Sequence, residues 1–339
     1  MSRNHGRRVH LVGSIPLGSS REVFRAVSRT LGPLAKRIPD GETGDRANWI
    51  SFQVGVLATT PNVVQVASID LHGFHCPIFG LKDSTKPVTF RKLRYADEAK
   101  ASYKEFAALK KAGKIAADVR FQVCLPTPFA VVTTFIAPAF RGHIAPAYEA
   151  RMHAEVNEIV ASIPQTELAI QWDVAAEVVL IAGREPESSA REDKDWMLGE
   201  LVDLGNVVPS SVELGFHFCY YPGHEHLVEP GDLALYVEIA NLLAANVWRP
   251  INWFHMPVPR DRSDDAYFEP LHNLRLEHIT EVFLGLIHLI DGEEGTQKRI
   301  ATARKFISNF GIGTECGFGC GALRTVNELL DLHKTIATA

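Results

Sequence analysis

The stretch VELGFHFC, residues 212–219, is a mostly apolar run that ends in a histidine and a cysteine. Its length and composition are typical of a buried strand. Because alternate side chains of an extended chain point to the same side, His217 and Cys219 project together from the end of this strand. The run therefore predicts both an element of the fold and a pair of side chains able to bind a metal ion.

A second segment supplies a further thiol. Cys316 follows its own apolar lead-in, residues 310–313, and we expect it at another strand end. One imidazole and two thiols form a three-ligand set with an open position, which catalytic zinc keeps and structural zinc usually closes. We therefore predict a zinc site made by His217, Cys219 and Cys316. The alternative from the residues alone is a core histidine with two buried free thiols, because cysteine is often a small buried hydrophobe.

Strand-like apolar runs alternate with helical patterns along the chain. Strands are predicted at residues 8–13, 120–125, 167–172, 212–218, 251–255, 281–289 and 312–316. Helices are predicted at residues 20–31, 97–111, 146–162, 192–205, 232–245, 294–310 and 322–334. This order favours an α/β fold with a parallel sheet, and seven or eight such units fit a (β/α)8 TIM barrel. We expect a single domain, residues 1–339, with an insertion around residues 61–94.

Length and composition exclude several classes of protein. The chain has 339 residues, 46% of them hydrophobic, which suffices for a large core. The net charge is -5 and no segment is strongly basic, so no nucleic-acid partner is expected. No run approaches the roughly 20 apolar residues of a membrane span. Five cysteines are too sparse for a disulfide framework and the N-terminal region is too interrupted for a signal peptide, so we expect a cytoplasmic protein.

Several motifs, in order along the chain, resemble those of the cobalamin-independent methionine synthase family in its barrel half. They are Leu-Val-Gly-Ser at 11–14, Asp-Gly-Glu-Thr-Gly-Asp-Arg at 40–46, Ile-Gln-Trp-Asp at 170–173, and the two zinc segments at 217–219 and 315–317. The resemblance implies a methionine synthase/uroporphyrinogen decarboxylase-like barrel. It also implies that Ser14, Glu42 and Asp173 bind the substrate, with Glu42 on its amine, and that a zinc-bound substrate thiolate attacks an alkyl donor.

The sequence departs from the family pattern at several positions. Where the family has a glutamate as its fourth zinc ligand, this chain has His255, which is therefore the predicted fourth ligand. The family's proton-donating histidine has no counterpart, and the nearby His288 is predicted to deliver the proton instead. The features that bind a folate donor are missing. We therefore predict zinc-dependent methyl or alkyl transfer to a small-molecule thiol, from a donor that the sequence does not identify.

Two other functions stay open at the level of sequence. One is a metal-independent enzyme resembling uroporphyrinogen decarboxylase, which would use Asp173, Arg46 and Arg141 on an acidic substrate. The other is a non-catalytic protein that holds zinc or docks a corrinoid protein. A homo-oligomer is compatible with all three functions. Metal content separates the first alternative from the zinc prediction, because a decarboxylase of that kind gives the two cysteines no role.

Overall fold

The computed structural model describes residues 8–71, 74–183, 189–220, 231–320 and 325–339. The strands in these ranges are β1 Arg37–Pro39, β2 Val63–Leu71, β3 Phe74–Leu81, β4 Arg120–Pro126, β5 Leu168–Val174, β6 Glu213–Phe218, β7 Trp253–Pro257, β8 Glu281–Ile287 and β9 Gly311–Thr314. Seven of them form one sheet in the order β1-β4-β5-β6-β7-β8-β9, and every neighbouring pair is parallel. The remaining two, β2 and β3, form a separate antiparallel hairpin.

Helices connect the parallel strands, as the crossovers of a parallel sheet require. They are α1 Ser20–Thr30, α2 Gln53–Thr59, α3 Tyr95–Lys111, α4 Pro128–Phe135, α5 Pro138–Ser162, α6 Ala176–Ala182, α7 Ser189–Val207, α8 Ala234–Asn246, α9 Asp265–Phe268, α10 Gly292–Ala303 and α11 Val326–Thr338. Short 3-10 helices lie at Gly32–Leu34, Gly44–Arg46, Gln165–Glu167, Glu269–Asn273 and Phe318–Cys320. None of the helices in the described ranges is long and apolar enough to cross a membrane.

The segment before α1 contacts both edges of the seven-stranded sheet. Val9 makes one parallel bridge to Ala35, just before β1, and another to Ile312 in β9. The backbone N–H of His10 donates to the carbonyl of Ile312 at 2.9 Å, and the N–H of Ile312 donates to the carbonyl of Arg8 at 2.9 Å. A segment that pairs at both edges requires the sheet to curl. The structure is therefore a mixed α/β fold with a curled parallel sheet, consistent with a TIM-barrel-like arrangement.

The interior of the curled sheet is filled by side chains from alternate strand positions. Gly215 in β6 leaves room for the Trp253 ring, since a Cβ at Gly215 would lie 1.9 Å from that ring. The guanidinium of Arg37 lies 4.1 Å from the centre of the same ring and donates to Glu281 at 3.0 Å and to Glu213. Both glutamates begin their strands. The N-terminal end of the sheet is thus closed by a partly buried ion cluster, and the opposite end is left for other chemistry.

The element predictions agree with the structure along most of the chain. The predicted strands within the 120–316 region each overlap an observed strand, whereas residues 8–13 form isolated bridges only. The region 61–94 contains the β2–β3 hairpin, which lies outside the parallel sheet. The helix expected from residue 146 begins at Pro138 and includes Pro146. The start expected at residue 322 for the last helix lies outside the described residues.

Candidate metal centre

Three polar side chains lie in one row across the C-terminal ends of adjacent strands. Asp173 in β5 is the register partner of His217 in β6, and His217 is the partner of His255 in β7. All three are buried. Residues in register on neighbouring strands point to the same face, so this row lines the interior of the curled sheet. The end of the fold where TIM-barrel enzymes carry their active sites is thus also where these predicted site residues meet.

The two predicted cysteine ligands are neighbours in space. Cys219 follows β6 and Cys316 follows β9, and their Sγ atoms are 3.5 Å apart. With one ring nitrogen of His217, the ligand atoms all lie within 4.8 Å of one another. In tetrahedral zinc with Zn–S bonds of about 2.3 Å, two sulfurs lie about 3.8 Å apart. Among the described residues this grouping is the one that could hold a metal ion, and its donor set suits zinc.

The fourth predicted ligand, His255, lies outside that grouping and against His217 instead. The two Nδ1 atoms are 2.8 Å apart. The Nε2 atom of His217 is buried and has no hydrogen-bond partner, whereas the ring of His255 hydrogen-bonds to the backbone of Thr314. Burial lowers the pKa of His255 to about 3. Burial also lowers the pKa of His217 well below its usual value, and the neighbouring His255 contributes to that shift. Both imidazoles are therefore neutral, which is the form that binds metals.

His288 lies beside the residues that flank the cysteines. Its Nε2 is 2.8 Å from the carbonyl oxygen of Val258, so Nε2 carries the proton and donates. Its Nδ1 is 3.7 Å from a carboxylate oxygen of Glu315, whose other oxygen accepts from the Tyr220 hydroxyl at 2.6 Å. Burial lowers the pKa of His288 to about 4. In this arrangement Nδ1 has a lone pair, so the ring can accept a proton before it delivers one.

The predicted substrate carboxylates form a second polar group. Glu42 has a positive φ of 52°, and its backbone N–H donates to Asp40 at 3.0 Å. Burial raises the pKa of Glu42 to about 7 against the opposing charge of Arg46. Burial and the charge of Glu42 raise the pKa of Asp173 well above its usual value. Buried carboxyls whose pKa is raised can keep a proton or bind a cation.

Ser14 connects the loops that carry these groups. Its backbone forms a bridge with Gly41, next to Glu42. Its carbonyl accepts from the N–H of Phe318 at 2.8 Å, and its Oγ accepts from the N–H of Gly319 at 3.1 Å. Ser14 therefore holds the loop after Cys316 against the loop that contains Glu42. Its hydroxyl oxygen already accepts a hydrogen bond from the protein backbone, at Gly319.

A hydrogen-bonded network that the sequence does not predict lies beneath the site. Gln171 donates from its Nε2 to Asp173 at 2.8 Å and to the carbonyl of Val12 at 2.6 Å. The Val12 carbonyl can only accept, so the Gln171 Oε1 faces the other way and accepts from the Nε2 of His10 at 2.8 Å. The network fixes the position of Asp173 and leaves His10 protonated on Nε2.

Four residues of the site region are not predicted from the sequence. Tyr220 directly follows Cys219 and Glu315 directly precedes Cys316, and this adjacency to the two predicted ligands is the signal that could have found them. The side chain of Trp49 donates to Asp173, and its only signal is its place soon after the 40–46 motif. His10 lies on a predicted strand, but nothing in its neighbours marks it as a polar core residue.

Comparison with known proteins supports the fold. No protein-family model and no curated protein matches the sequence. A solved structure of a B12-independent methionine synthase from Shewanella sp. W3-18-1, in complex with selenomethionine, is similar with a TM-score of 0.66 and 16% identity, covering 98% of this chain and 96% of that one. A candidate vitamin-B12-independent methionine synthase from Listeria monocytogenes is similar with a TM-score of 0.55 and 14% identity, covering 94% and 85%.

These likenesses concern the whole chain rather than a fragment of it. At such low identity they establish the fold and leave the chemistry to be argued from the residues. The resemblance that the sequence motifs predict is thus confirmed at the level of the fold, which is that of B12-independent methionine synthases.

Proposed function

We propose that this protein is a zinc-dependent methyl- or alkyl-transferase that acts on a small-molecule thiol. The observation that carries the proposal is that one ligand atom from each of His217, Cys219 and Cys316 lies within 4.8 Å of the others. These residues come from segments nearly a hundred residues apart in the sequence. The fold likeness to methionine synthases over 98% of the chain supports the same chemistry. The decarboxylase alternative gives no role to the paired thiols.

The architecture that goes with this proposal is a closed (β/α)8 barrel in a single domain, residues 1–339, with residues 61–94 as an insertion. In it, residues 8–14 act as the eighth strand between β1 and β9. The bridges of Val9 to both sheet edges support this closure. The separate β2–β3 hairpin supports the insertion.

The residues of this chain fit a zinc ion. His217, Cys219 and Cys316 would hold it, since two thiols 3.5 Å apart and a buried, unpartnered imidazole nitrogen are the donors that zinc prefers. His255 is the fourth ligand predicted from the sequence, although its ring lies outside this grouping. When bound, the ion lowers the pKa of a substrate thiol so that the nucleophile forms at neutral pH.

The protein's own groups bind and orient the substrate. Glu42 and Asp173 bind its cationic, polar end, because a positive charge stabilises the ionised form of two carboxyls whose pKa is raised by burial. Gln171 holds Asp173 in place, and Ser14 fixes the loop after Cys316. A substrate held at both ends presents its sulfur to the alkyl donor in one orientation.

Methyl or alkyl transfer forms a new C–S bond, breaks the bond between the alkyl carbon and its leaving group, and releases the thiol proton. His288 takes up that proton at Nδ1, whose lone pair is available while Nε2–H donates to Val258. It then delivers the proton to the leaving group. The proposal places the protein in the reducing cytoplasm, because a disulfide between the two cysteines would remove both metal-binding thiols.

Metal analysis of the purified protein tests the proposal. We expect about one zinc ion per chain in the native protein and loss of that zinc, with loss of transferase activity, in Cys219→Ala and Cys316→Ala. The matched control is Cys76→Ala, since Cys76 is a buried free thiol in the hairpin. Thermal-shift screening of the zinc-loaded protein against small thiols then identifies the acceptor. Full transferase activity in metal-free protein would exclude the proposed mechanism.

A further inference from the structure

The contact between His217 and His255 restricts which of the two can bind a metal. Their Nδ1 atoms are 2.8 Å apart, the distance of a hydrogen bond, and both rings are essentially fully buried. A buried imidazole is held neutral, so each ring has one protonated and one unprotonated nitrogen. Only one proton can lie between the two Nδ1 atoms.

The ring that donates this proton keeps a lone pair on Nε2. The ring that accepts it must carry its own proton on Nε2, and a protonated nitrogen cannot coordinate a metal ion. Because of this one hydrogen bond, one histidine of the pair can bind a metal ion through Nε2 and the other cannot. The fourth-ligand role expected for His255 and the ligand role of His217 exclude each other in this geometry.

The cysteines decide which ring is the ligand. The grouping of atoms able to share a metal contains His217, Cys219 and Cys316, and His255 is outside it. The Nε2 atom of His255 lies instead towards β9, where a Cβ at Gly313 would come within 3.2 Å of it. Glycine at this position makes room for the ring. His255 thus contacts His217 and Gly313 and is not one of the groups that can share an ion with the thiols.

We propose that His255 is a positioning residue: it accepts the Nδ1–H of His217, fixes the tautomer and ring orientation of that ligand, and is not itself bound to zinc. The inference rests on the proposed zinc site. Ligating histidines usually donate their second ring nitrogen to a carboxylate, a carbonyl or water, and these partners strengthen metal binding. Here a second imidazole takes that place, and the zinc coordination by protein remains three side chains with an open position.

The direct test is the tautomeric state of both rings in the full-length, zinc-loaded protein. Two-bond 1H–15N correlation spectra distinguish a protonated, an unprotonated and a metal-bound ring nitrogen. We expect His217 to carry its proton on Nδ1 and the metal on Nε2. We expect His255 to carry its proton on Nε2 with an unprotonated Nδ1. A metal-bound nitrogen in His255 would overturn the inference while leaving the zinc site intact.

Three substitutions of His255 give a second, independent readout. In His255→Asn the amide oxygen takes about the place of Nδ1, so we expect zinc affinity within a few-fold of the native protein in competition with a chelator. His255→Leu has a similar shape and no acceptor, and should weaken zinc binding about 10- to 100-fold. His255→Gln places its amide at the Nε2 end and should bind as weakly as the leucine variant. His333→Leu, at a buried histidine on α11, should leave zinc affinity unchanged.

The outcomes separate the inference from the proposed function. If the native protein binds no zinc, the proposed function fails. If it binds zinc, but the asparagine and leucine variants weaken binding equally, or glutamine alone preserves it, the positioning role is wrong. Should the leucine variant not fold, the comparison of asparagine with glutamine and the spectra of the native protein still decide. Cobalt-substituted protein adds a check, since its absorption spectrum should be unchanged by His255→Asn.

Discussion

Glu42 has an environment very different from that of an ordinary surface carboxylate. It is buried, has a positive φ and lies beside a second carboxylate, Asp40. Such backbone strain is concentrated at sites where function requires it. Burial also raises the pKa of its carboxyl from 4.5 to about 7.

This raised pKa predicts a pH dependence of stability. Between pH of about 4.5 and 7 the folded protein keeps a proton that the unfolded chain has released, so the Glu42 contribution to the free energy of unfolding falls as pH rises. The full difference is on the order of 3 kcal/mol. Glu42→Gln should remove this part of the slope, measured by urea unfolding at pH 5 and pH 8.

A matched variant separates stability from function. Burial raises the pKa of Glu177 to about 7 as well, and this residue lies on α6, the helix that follows β5, with Thr127 as its side-chain hydrogen-bond partner. Glu177→Gln should flatten the pH dependence of stability in the same direction, without weakening the binding of an amine-bearing thiol that Glu42→Gln weakens. An unchanged slope in Glu42→Gln would show that its carboxyl is ionised in the folded protein.

At the residue scale, two of the three residues in the candidate metal grouping can be predicted because His217 and Cys219 are close together in the sequence. Two ligands at i and i+2 on a strand share a face whatever the surroundings, so the pairing of His217 with Cys219 follows from their spacing alone. The partnership of His217 with His255 does not, because it depends on the register between β6 and β7. The same holds for His10, whose partner Gln171 is 161 residues away.

At the level of elements, periodicity and apolar runs predict most parallel strands, since a strand buried on both faces is a short continuous apolar run. The β2–β3 hairpin is not predictable in this way. β2 is largely exposed and β3 buries Cys76, Phe79 and Leu81, so the hairpin does not give a continuous apolar run. Its position depends on contacts elsewhere in the chain, such as the bridge from Phe79 to Ile136. The start of α5 is predicted too late because proline favours the first turn of a helix, whereas Pro146 lies inside this one.

The packing of β6 against β7 gives a prediction for the sheet interior. Gly215→Ala would put a Cβ 1.9 Å from the Trp253 ring, whose neighbours leave it little room to move. We expect a loss of about 3 kcal/mol in the free energy of unfolding, at the upper end of the usual cost of overpacking. Chemical denaturation measures this loss directly.

The control is a glycine with free space around it. Gly199 lies within α7 and no heavy atom would meet its Cβ within 4 Å, so Gly199→Ala should stabilise the protein by up to about 1 kcal/mol. The double variant Gly215→Ala/Trp253→Leu should lose less free energy of unfolding than the sum of the two single variants, because the smaller leucine side chain does not clash with the new Cβ. Simple additivity would mean that the ring is not the obstacle.

At the scale of the whole molecule, the position of the site depends on how the curled sheet is completed. Cys316 follows β9 at one edge of the sheet, whereas Glu42 follows β1 at the other edge. Ser14 lies between the loops and hydrogen-bonds to the one after Cys316. The candidate metal grouping and the predicted substrate ligand Glu42 can therefore serve one reaction only if residues 8–14 keep the two edges together.

Hydrogen exchange tests this closure. The N–H groups of His10 and Ile312 donate across the junction, to Ile312 and Arg8, at 2.9 Å each. If the segment is the eighth strand of a closed barrel, these amides open only with the global unfolding of the molecule, and their exchange should be as slow as that of the central strands β5 and β6. Fast exchange at both amides, with slow exchange in β5 and β6, would mean that the barrel is open at this junction. The two sheet edges that carry the parts of the site would then not be held together.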